Sequence, residues 1–170
     1  MAILNPDHLL EQAKHLIEPP AAGPPRQVNV RRAISAAYYA VFHAVLTGAA
    51  DQIVGTTKRA DPHYSLVYRS LDHRGLRAMC GLAKQLRLPD PYPKFVPPGG
   101  LGEDIAAFAT AVIELQDKRN TADYDPGVRL KTLDAMTSIR TAEAALRRLQ
   151  RADAGQRRAF FMLLLFPPKR

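Results

Sequence analysis

The residues best suited to chemistry lie in the stretch 118–126, Lys-Arg-Asn-Thr-Ala-Asp-Tyr-Asp-Pro, which joins two helical patterns. Before it, apolar residues recur at spacings of four, three, four and three: Leu101, Ile105, Phe108, Val112 and Leu115. Arg119 takes the next position on that face, so its permanent charge needs partners in the core or at an interface. Asp123 can reach it if the helix continues. Together with Tyr124 the pair either shapes a cleft for a nucleotide or protein, or forms a structural salt bridge beside a buried tyrosine.

A second polar line runs along an otherwise apolar helix pattern at 26–50. Its members follow one another at steps of three, four and four: Arg32, Ser35, Tyr39 and His43. Four aligned polar groups on a core helix are typical of a cleft or an interface. The alternative is that Tyr39 and His43 are hydrogen-bonded core residues and Arg32 is an exposed residue of the first turn.

Arg119 and the polar residues of the 26–50 helix both need hydrogen-bond partners, and each could supply them to the other. We therefore predict that Arg119 lies within reach of Asp123 and faces a cleft bordered by Tyr39, His43 and Tyr124. The candidates for catalysis are Arg119, His43 and Tyr124. The candidates for ligand binding in the cleft are Arg32, Ser35, Tyr39, Asn120 and Asp123.

The spacing of apolar residues by three and four predicts an all-α bundle of about five helices without a sheet. Abundant alanine and leucine support this fold class. The predicted helices are 6–18, 26–50, 63–87, 102–120 and 126–152. Asp125 and Pro126 resemble the start of the last of these helices.

The third predicted helix is the least regular. Gly75 and Gly81 weaken it, which leaves a break near Gly75 as the alternative to one continuous helix. Its core candidates are Leu66, Leu71, Leu76, Met79, Leu82 and Leu86, and the last helix adds Leu130, Leu133, Met136, Ile139, Leu146 and Leu149. His73 stands between Asp72 and Arg74, a context typical of a surface histidine.

Composition excludes several classes of protein. The 170 residues are 46% hydrophobic and 24% charged, which is ordinary for a globular domain. The single cysteine, Cys80, excludes an internal disulfide framework and a multi-cysteine metal site, and it fits a cytoplasmic location. No cofactor and no metal are expected.

The charge is uneven along the chain. Residues 140–170 carry eight Lys/Arg and two acidic residues, which places most of the net charge of +8 there. Such an end suits an RNA backbone or an acidic protein, or is simply a solvated helix face. We divide the chain into a bundle at 1–152 and a basic, apolar tail at 153–170. The apolar run 159–166 is too short to span a membrane, so it must pack on the body or on a partner.

Two segments together resemble one family. Residues 31–44, Arg-Arg-Ala-Ile-Ser-Ala-Ala-Tyr-Tyr-Ala-Val-Phe-His-Ala, are similar to a helix of HEPN-domain proteins that reads R-x-A-x-S-R-A-Y-Y-A-x-F-H-A. Residues 119–125, Arg-Asn-Thr-Ala-Asp-Tyr-Asp, resemble the R-x-x-A-D-Y stretch of a branch that lacks the complete ribonuclease motif. The resemblance covers roughly residues 5–150.

The resemblance implies an up-and-down helical bundle that commonly homodimerises with the motif region at the dimer cleft. Many relatives are metal-independent ribonucleases with an Arg-x(4–6)-His motif. In this chain no histidine follows His73, and Tyr124 stands five residues after Arg119, where the motif histidine would be expected. A tyrosine with a pKa near 10 is a poor general base at neutral pH.

The branch with Asp-Tyr is often encoded beside a minimal nucleotidyltransferase. The resemblance therefore implies a helical partner of such an enzyme, or a homodimeric module that binds nucleotides or RNA, in a toxin–antitoxin or defence system. Two alternatives remain. One is a ribonuclease in which His43 replaces the missing motif histidine beside Arg119, and the other is a structural or defence-associated module without an active cleft.

Overall fold

The computed structural model describes residues 3–85 and 87–168, and this part of the chain contains helices and no strand. The predicted all-α fold is confirmed there, but seven α-helices are present where about five were predicted. They are α1 (Pro6–Leu16), α2 (Gln27–Ile53), α3 (Pro62–Arg69), α4 (His73–Ala83), α5 (Gly102–Tyr124), α6 (Thr132–Arg151) and α7 (Ala154–Leu165). A short 3-10 helix, Tyr92–Phe95, lies between α4 and α5.

The central helix is α2, which packs against α1, α3, α5, α6 and α7. Its small residues explain how so many neighbours fit around it. Ala33, Ala37 and Ala40 have no exposed surface, so neighbouring helices approach the α2 backbone closely. At Gly48 a Cβ atom would lie 2.5 Å from Cζ of Phe161, so only glycine leaves room for the α7 ring.

The single helix predicted at 63–87 is wrong, because two helices occupy this region. The break lies at residues 70–72 rather than near Gly75. Asp72 decides it: its Oδ1 accepts a hydrogen bond from Gly75 N at 2.7 Å and caps the start of α4. The core candidate Leu86 lies outside the described residues.

The predicted start of the last helix at Pro126 is also wrong. The backbone N–H of Asp125 bonds to Thr121 O, so this residue ends α5, which runs past the predicted limit at 120. The Asp125 side chain accepts a hydrogen bond from Gly127 N at 2.9 Å and closes a turn. The next helix begins at Thr132, where Lys131 N donates to Asp134 Oδ2 at 2.7 Å.

Three predicted core positions are exposed. Leu66 is 68% exposed, Leu133 65% and Met136 37%. Periodicity identified their helices, but it did not decide which side of a short helix, or of a helix start, would meet a neighbour.

The C-terminal segment forms α7, which packs against α2, α4 and α5. Phe160 is fully buried, and its ring meets that of Phe108 of α5 edge-on, with the centroids 5.8 Å apart. Several basic residues of this end have structural contacts. Arg148 and Arg151 both pair with Asp104, and Arg157 donates to the carbonyl oxygens that end α6.

Candidate functional site

Arg119 projects from the last turns of α5 toward α2, and its side chain is 14% exposed. Nη2 donates to the Tyr39 hydroxyl at 2.7 Å, and Nη1 donates to Asn120 Oδ1 at 3.2 Å. Nε lies 2.7 Å from Asp123 Oδ2, an ion pair in which the N–H does not point along a hydrogen bond. A guanidinium carries one N–H on Nε and two on each terminal nitrogen. The second N–H of Nη1 and the second N–H of Nη2 therefore have no hydrogen bond to the described protein.

Two tyrosine rings lie beside this guanidinium. Its central carbon is 5.4 Å from the ring centroid of Tyr39 and 5.2 Å from that of Tyr124. Both distances are in the range of cation–π attraction. Tyr124 is 71% exposed, so the alternative of a buried tyrosine closing the helix turn does not hold. The Tyr124 ring therefore lies at the surface beside the Arg119 guanidinium.

Asp123 joins α5 to α2. One of its oxygens pairs with Arg119, and the other accepts a hydrogen bond from the hydroxyl of Ser35. The Asp123 side chain is 27% exposed. Because each oxygen has its own partner, the carboxylate fixes the orientation of the guanidinium relative to α2.

A second arginine, Arg31, ties the end of α5 to α2. Nη1 donates to Ala122 O at 2.7 Å, and Nη2 donates to Asp125 O at 2.9 Å and also to Val128 O. These carbonyl groups lie at the end of a helix and in the loop after it, where no helical donor remains for them. The sequence suggested no role for Arg31, although it lies one turn before Ser35 on α2.

The polar line on α2 divides between two surroundings. Ser35 and Tyr39 face α5, as described above. Arg32 is exposed and, with Tyr39 and His43, lines a shallow groove of about 340 Å³ beside α1. One group of contacting side chains, which we call the Arg119 cluster, consists of Arg119, Asp123, Tyr124, Ser35 and Tyr39. Tyr39 lies between this cluster and the groove. Asn120 is exposed and touches the cluster through its side-chain oxygen.

Both histidines near the cluster are half-buried and bonded to tyrosines. His43 Nδ1 lies 2.6 Å from the Tyr68 hydroxyl, and its ring centroid is 6.3 Å from that of Tyr39. His73 Nδ1 lies 2.8 Å from the Tyr38 hydroxyl, and its ring is 5.9 Å from Tyr39.

His73 was expected on the surface, and that expectation is wrong. Its ring lies against Phe42 with the centroids 4.0 Å apart, and its backbone oxygen accepts a hydrogen bond from Gln116 Nε2 at 3.2 Å. The only sequence signal was Asp72, a typical N-cap residue, which puts His73 at the first position of α4.

The surroundings of the two histidines favour neutral rings. Burial lowers the pKa of His43, and the nearby His73 lowers it further. Burial also lowers the pKa of His73, with the charge of Arg119 as the next cause. Burial raises the pKa of Tyr38, so its hydroxyl stays protonated.

We expect the free energy of unfolding to fall as the pH drops below about 6.5, the ordinary histidine pKa. In this range the unfolded chain binds protons that the folded chain, with its lowered pKa values, binds less readily, so the contribution is fully present above that pH. Urea unfolding at several pH values measures it. The double variant His43→Gln/His73→Gln should flatten the dependence, whereas His8→Gln, at an exposed position, should not. An unchanged slope in the double variant would contradict the assignment.

A wider cavity of about 630 Å³ opens beside the cluster. It is lined by Arg31, Asp123, Tyr124, Val128 and Arg129, among others. The exposed Tyr124 ring thus borders both this cavity and the Arg119 guanidinium, so a ligand in the cavity would meet an aromatic face and cationic side chains together.

The described part of the chain holds no group of three or more His, Cys, Asp or Glu side chains suited to a metal ion. Within residues 3–85 and 87–168, α2 alone has the length and apolar composition that a membrane-crossing helix needs, and 72% of its most apolar stretch is buried inside the bundle. The same features are typical of the core helix of a folded domain.

Comparison with known proteins identified no relative: no family model, no curated protein and no solved structure matches this chain.

Proposed function

We propose that this chain is a HEPN-like helical module whose Arg119 cluster binds the phosphate of a nucleotide or of RNA. It acts as a homodimer or as the partner of a minimal nucleotidyltransferase, in a toxin–antitoxin or defence system. One observation carries the proposal. The two segments that resemble HEPN motifs contact each other through their polar side chains: Arg31 reaches the end of α5, Ser35 bonds to Asp123, and Tyr39 bonds to Arg119.

The chemistry of the cluster supports an anionic ligand. A guanidinium presents paired N–H groups that match phosphate oxygens, and Arg119 keeps one N–H on each terminal nitrogen for such a ligand. Asp123 and the tyrosines hold it in position beforehand, which reduces the entropy lost on binding. The exposed Tyr124 ring supplies a surface on which a nucleobase can stack.

Exposed apolar residues at the end of α5, in the following loop and at the start of α6 support a protein partner. Tyr124 ends α5, Val128 lies in the following loop, and Leu133 and Met136 begin α6. All four are among the exposed large hydrophobic residues of the described chain. Tyr124 and Val128 line the same cavity beside Arg31 and Asp123, and exposed apolar side chains next to polar ones are typical of a docking surface.

We expect Arg119→Ala to weaken the binding of a labelled RNA oligonucleotide or of ATP by about tenfold to a hundredfold, since a hydrogen bond to a charged group is worth about 1.5–3 kcal/mol. Fluorescence anisotropy measures it. Lys118→Ala is the matched control, because it removes the same charge from the residue directly before Arg119. Lys118 pairs with Glu114 at the surface. Asp123→Asn should lower stability and weaken binding less. Equal affinity of wild type and Arg119→Ala, or no binding of either ligand, would overturn the proposal.

A second candidate function is a ribonuclease in which Arg119 acts with a histidine. Sequence favoured His43, but His73 lies equally near Tyr39, the hydrogen-bond partner of Arg119: its ring centroid is 5.9 Å from that of Tyr39, against 6.3 Å for His43. A neutral imidazole is the form that can take up a proton from a ribose 2′-hydroxyl.

For this candidate, purified protein must cleave RNA, and His73→Ala must abolish cleavage while the fold is retained by circular dichroism. His43→Ala tests the other assignment in the same assay. Cleavage that survives both substitutions, or that is absent from the wild type, removes both histidines as the base.

A further inference from the structure

A second cavity in the described chain lies away from the Arg119 cluster. It has a volume of about 840 Å³ and lies between the end of α4, the segment 88–100 and the start of α5. We call it the proline cavity, and its apolar lining includes Ala83, Leu88, Pro93, Val96, Leu101 and Ala106. Its volume is in the range of small-molecule binding sites.

The walls of the proline cavity are held by contacts within the protein. Gly102 has a φ of +78°, and a Cβ atom there would overlap the side-chain oxygen of Gln156 in α7. Pro97 packs near Gly155 of the same helix, and Gly100 N donates to Pro97 O at 2.9 Å. The cavity is therefore shaped by packing against α7, before any ligand enters.

Three charged side chains line the cavity. Lys84 and Arg87 follow α4, and Glu103 lies in the first turn of α5. Neither Lys84 nor Arg87 forms an ion pair with another described residue, because all the ion pairs within residues 3–85 and 87–168 involve other basic residues. The two cations outnumber the single carboxylate, so the rim is positive and favours one negative charge on a ligand.

We propose that the proline cavity binds a small apolar molecule that carries one carboxylate. The apolar walls take up the hydrocarbon body, and Lys84 and Arg87 pair with the carboxylate at the rim. A neutral alcohol lacks the ionic contact, and an amine of the same chain length is repelled by the two cations.

Decanoate, below its micelle concentration, is a suitable probe for isothermal titration calorimetry of the full chain. We expect saturable binding to one site. Decanol should bind more weakly, and decylamine more weakly still. Ala106→Trp fills the cavity and should abolish binding. Lys84→Ala/Arg87→Ala alters only exposed side chains and should weaken binding by about tenfold.

The double variant Arg140→Ala/Arg147→Ala is the matched control, because it removes the same charge from the exposed face of α6. It should bind decanoate like the wild type, and so should Arg119→Ala, which separates this proposal from the proposed function. The proposal is overturned if decanoate shows no saturable binding. It is equally overturned if Ala106→Trp in its folded form binds with unchanged affinity, or if the two double variants weaken binding equally.

Discussion

Phe160→Ala is expected to lower the free energy of unfolding by about 3–5 kcal/mol, the usual cost of removing a buried phenylalanine ring. Phe160 has no exposed surface. Its ring meets Phe108 of α5 edge-on and lies 5.7 Å from the neighbouring Phe161 ring, measured between centroids. The substitution therefore leaves a cavity where α7 closes the bundle, and chemical denaturation followed by circular dichroism measures the loss.

Phe166→Ala is the control for this prediction. Phe166 follows the last turn of α7 and is 61% exposed, so its loss should change stability by no more than about 0.5 kcal/mol. Similar losses in both variants would mean that α7 is not a part of the core.

Arg31→Ala is expected to lower the free energy of unfolding by about 2–3 kcal/mol, in the range of hydrogen bonds from a charged donor. Arg31 binds the carbonyl oxygens of Ala122, Asp125 and Val128, so its removal leaves the end of α5 and the following loop without their donor. Thermal or urea unfolding measures the effect.

Arg32→Ala is the matched control, since the neighbouring Arg32 is exposed and has the same charge. Its loss should cost less than about 0.5 kcal/mol. Arg31→Lys should recover only part of the stability, because an ammonium group cannot reach several carbonyl groups with the geometry of a guanidinium. If the Arg31 and Arg32 variants are equally stable, the carbonyl contacts contribute little.

Arg31 also connects stability with the proposed site. It holds the end of α5 next to α2, and this end carries Asp123 and Tyr124. We therefore infer that the geometry around Arg119 depends on Arg31, although Arg31 itself does not touch the guanidinium.

Local spacing was enough to predict the all-α class, the long helices α2 and α5, and one pair within the site. Arg119 and Asp123 are four residues apart on α5, and a helix brings such residues together whatever surrounds it. The apolar series before Arg119 was likewise sufficient to identify the buried face of α5, where Ile105, Phe108 and Val112 have no exposed surface.

Helix ends were less predictable because competing signals lie close together. Asp125 and Pro126 have the composition of a helix start, yet the Asp125 carboxylate closes a turn with Gly127 instead. Asp72 proved a stronger signal than Gly75, because it caps a new helix, whereas glycine merely weakens an existing one.

The sequence by itself determined the all-α class, the central position of α2 and the Arg119–Asp123 pair, since each follows from periodicity and from contacts within one helix. Only the tertiary structure decided which residues complete the cluster. Tyr39, Ser35 and Arg31 reach α5 from a helix 80 to 91 positions earlier in the chain, and His73 reaches α2 from the start of α4. The packing angles of whole helices set these contacts, and those angles depend on all the side chains between the helices rather than on any local pattern.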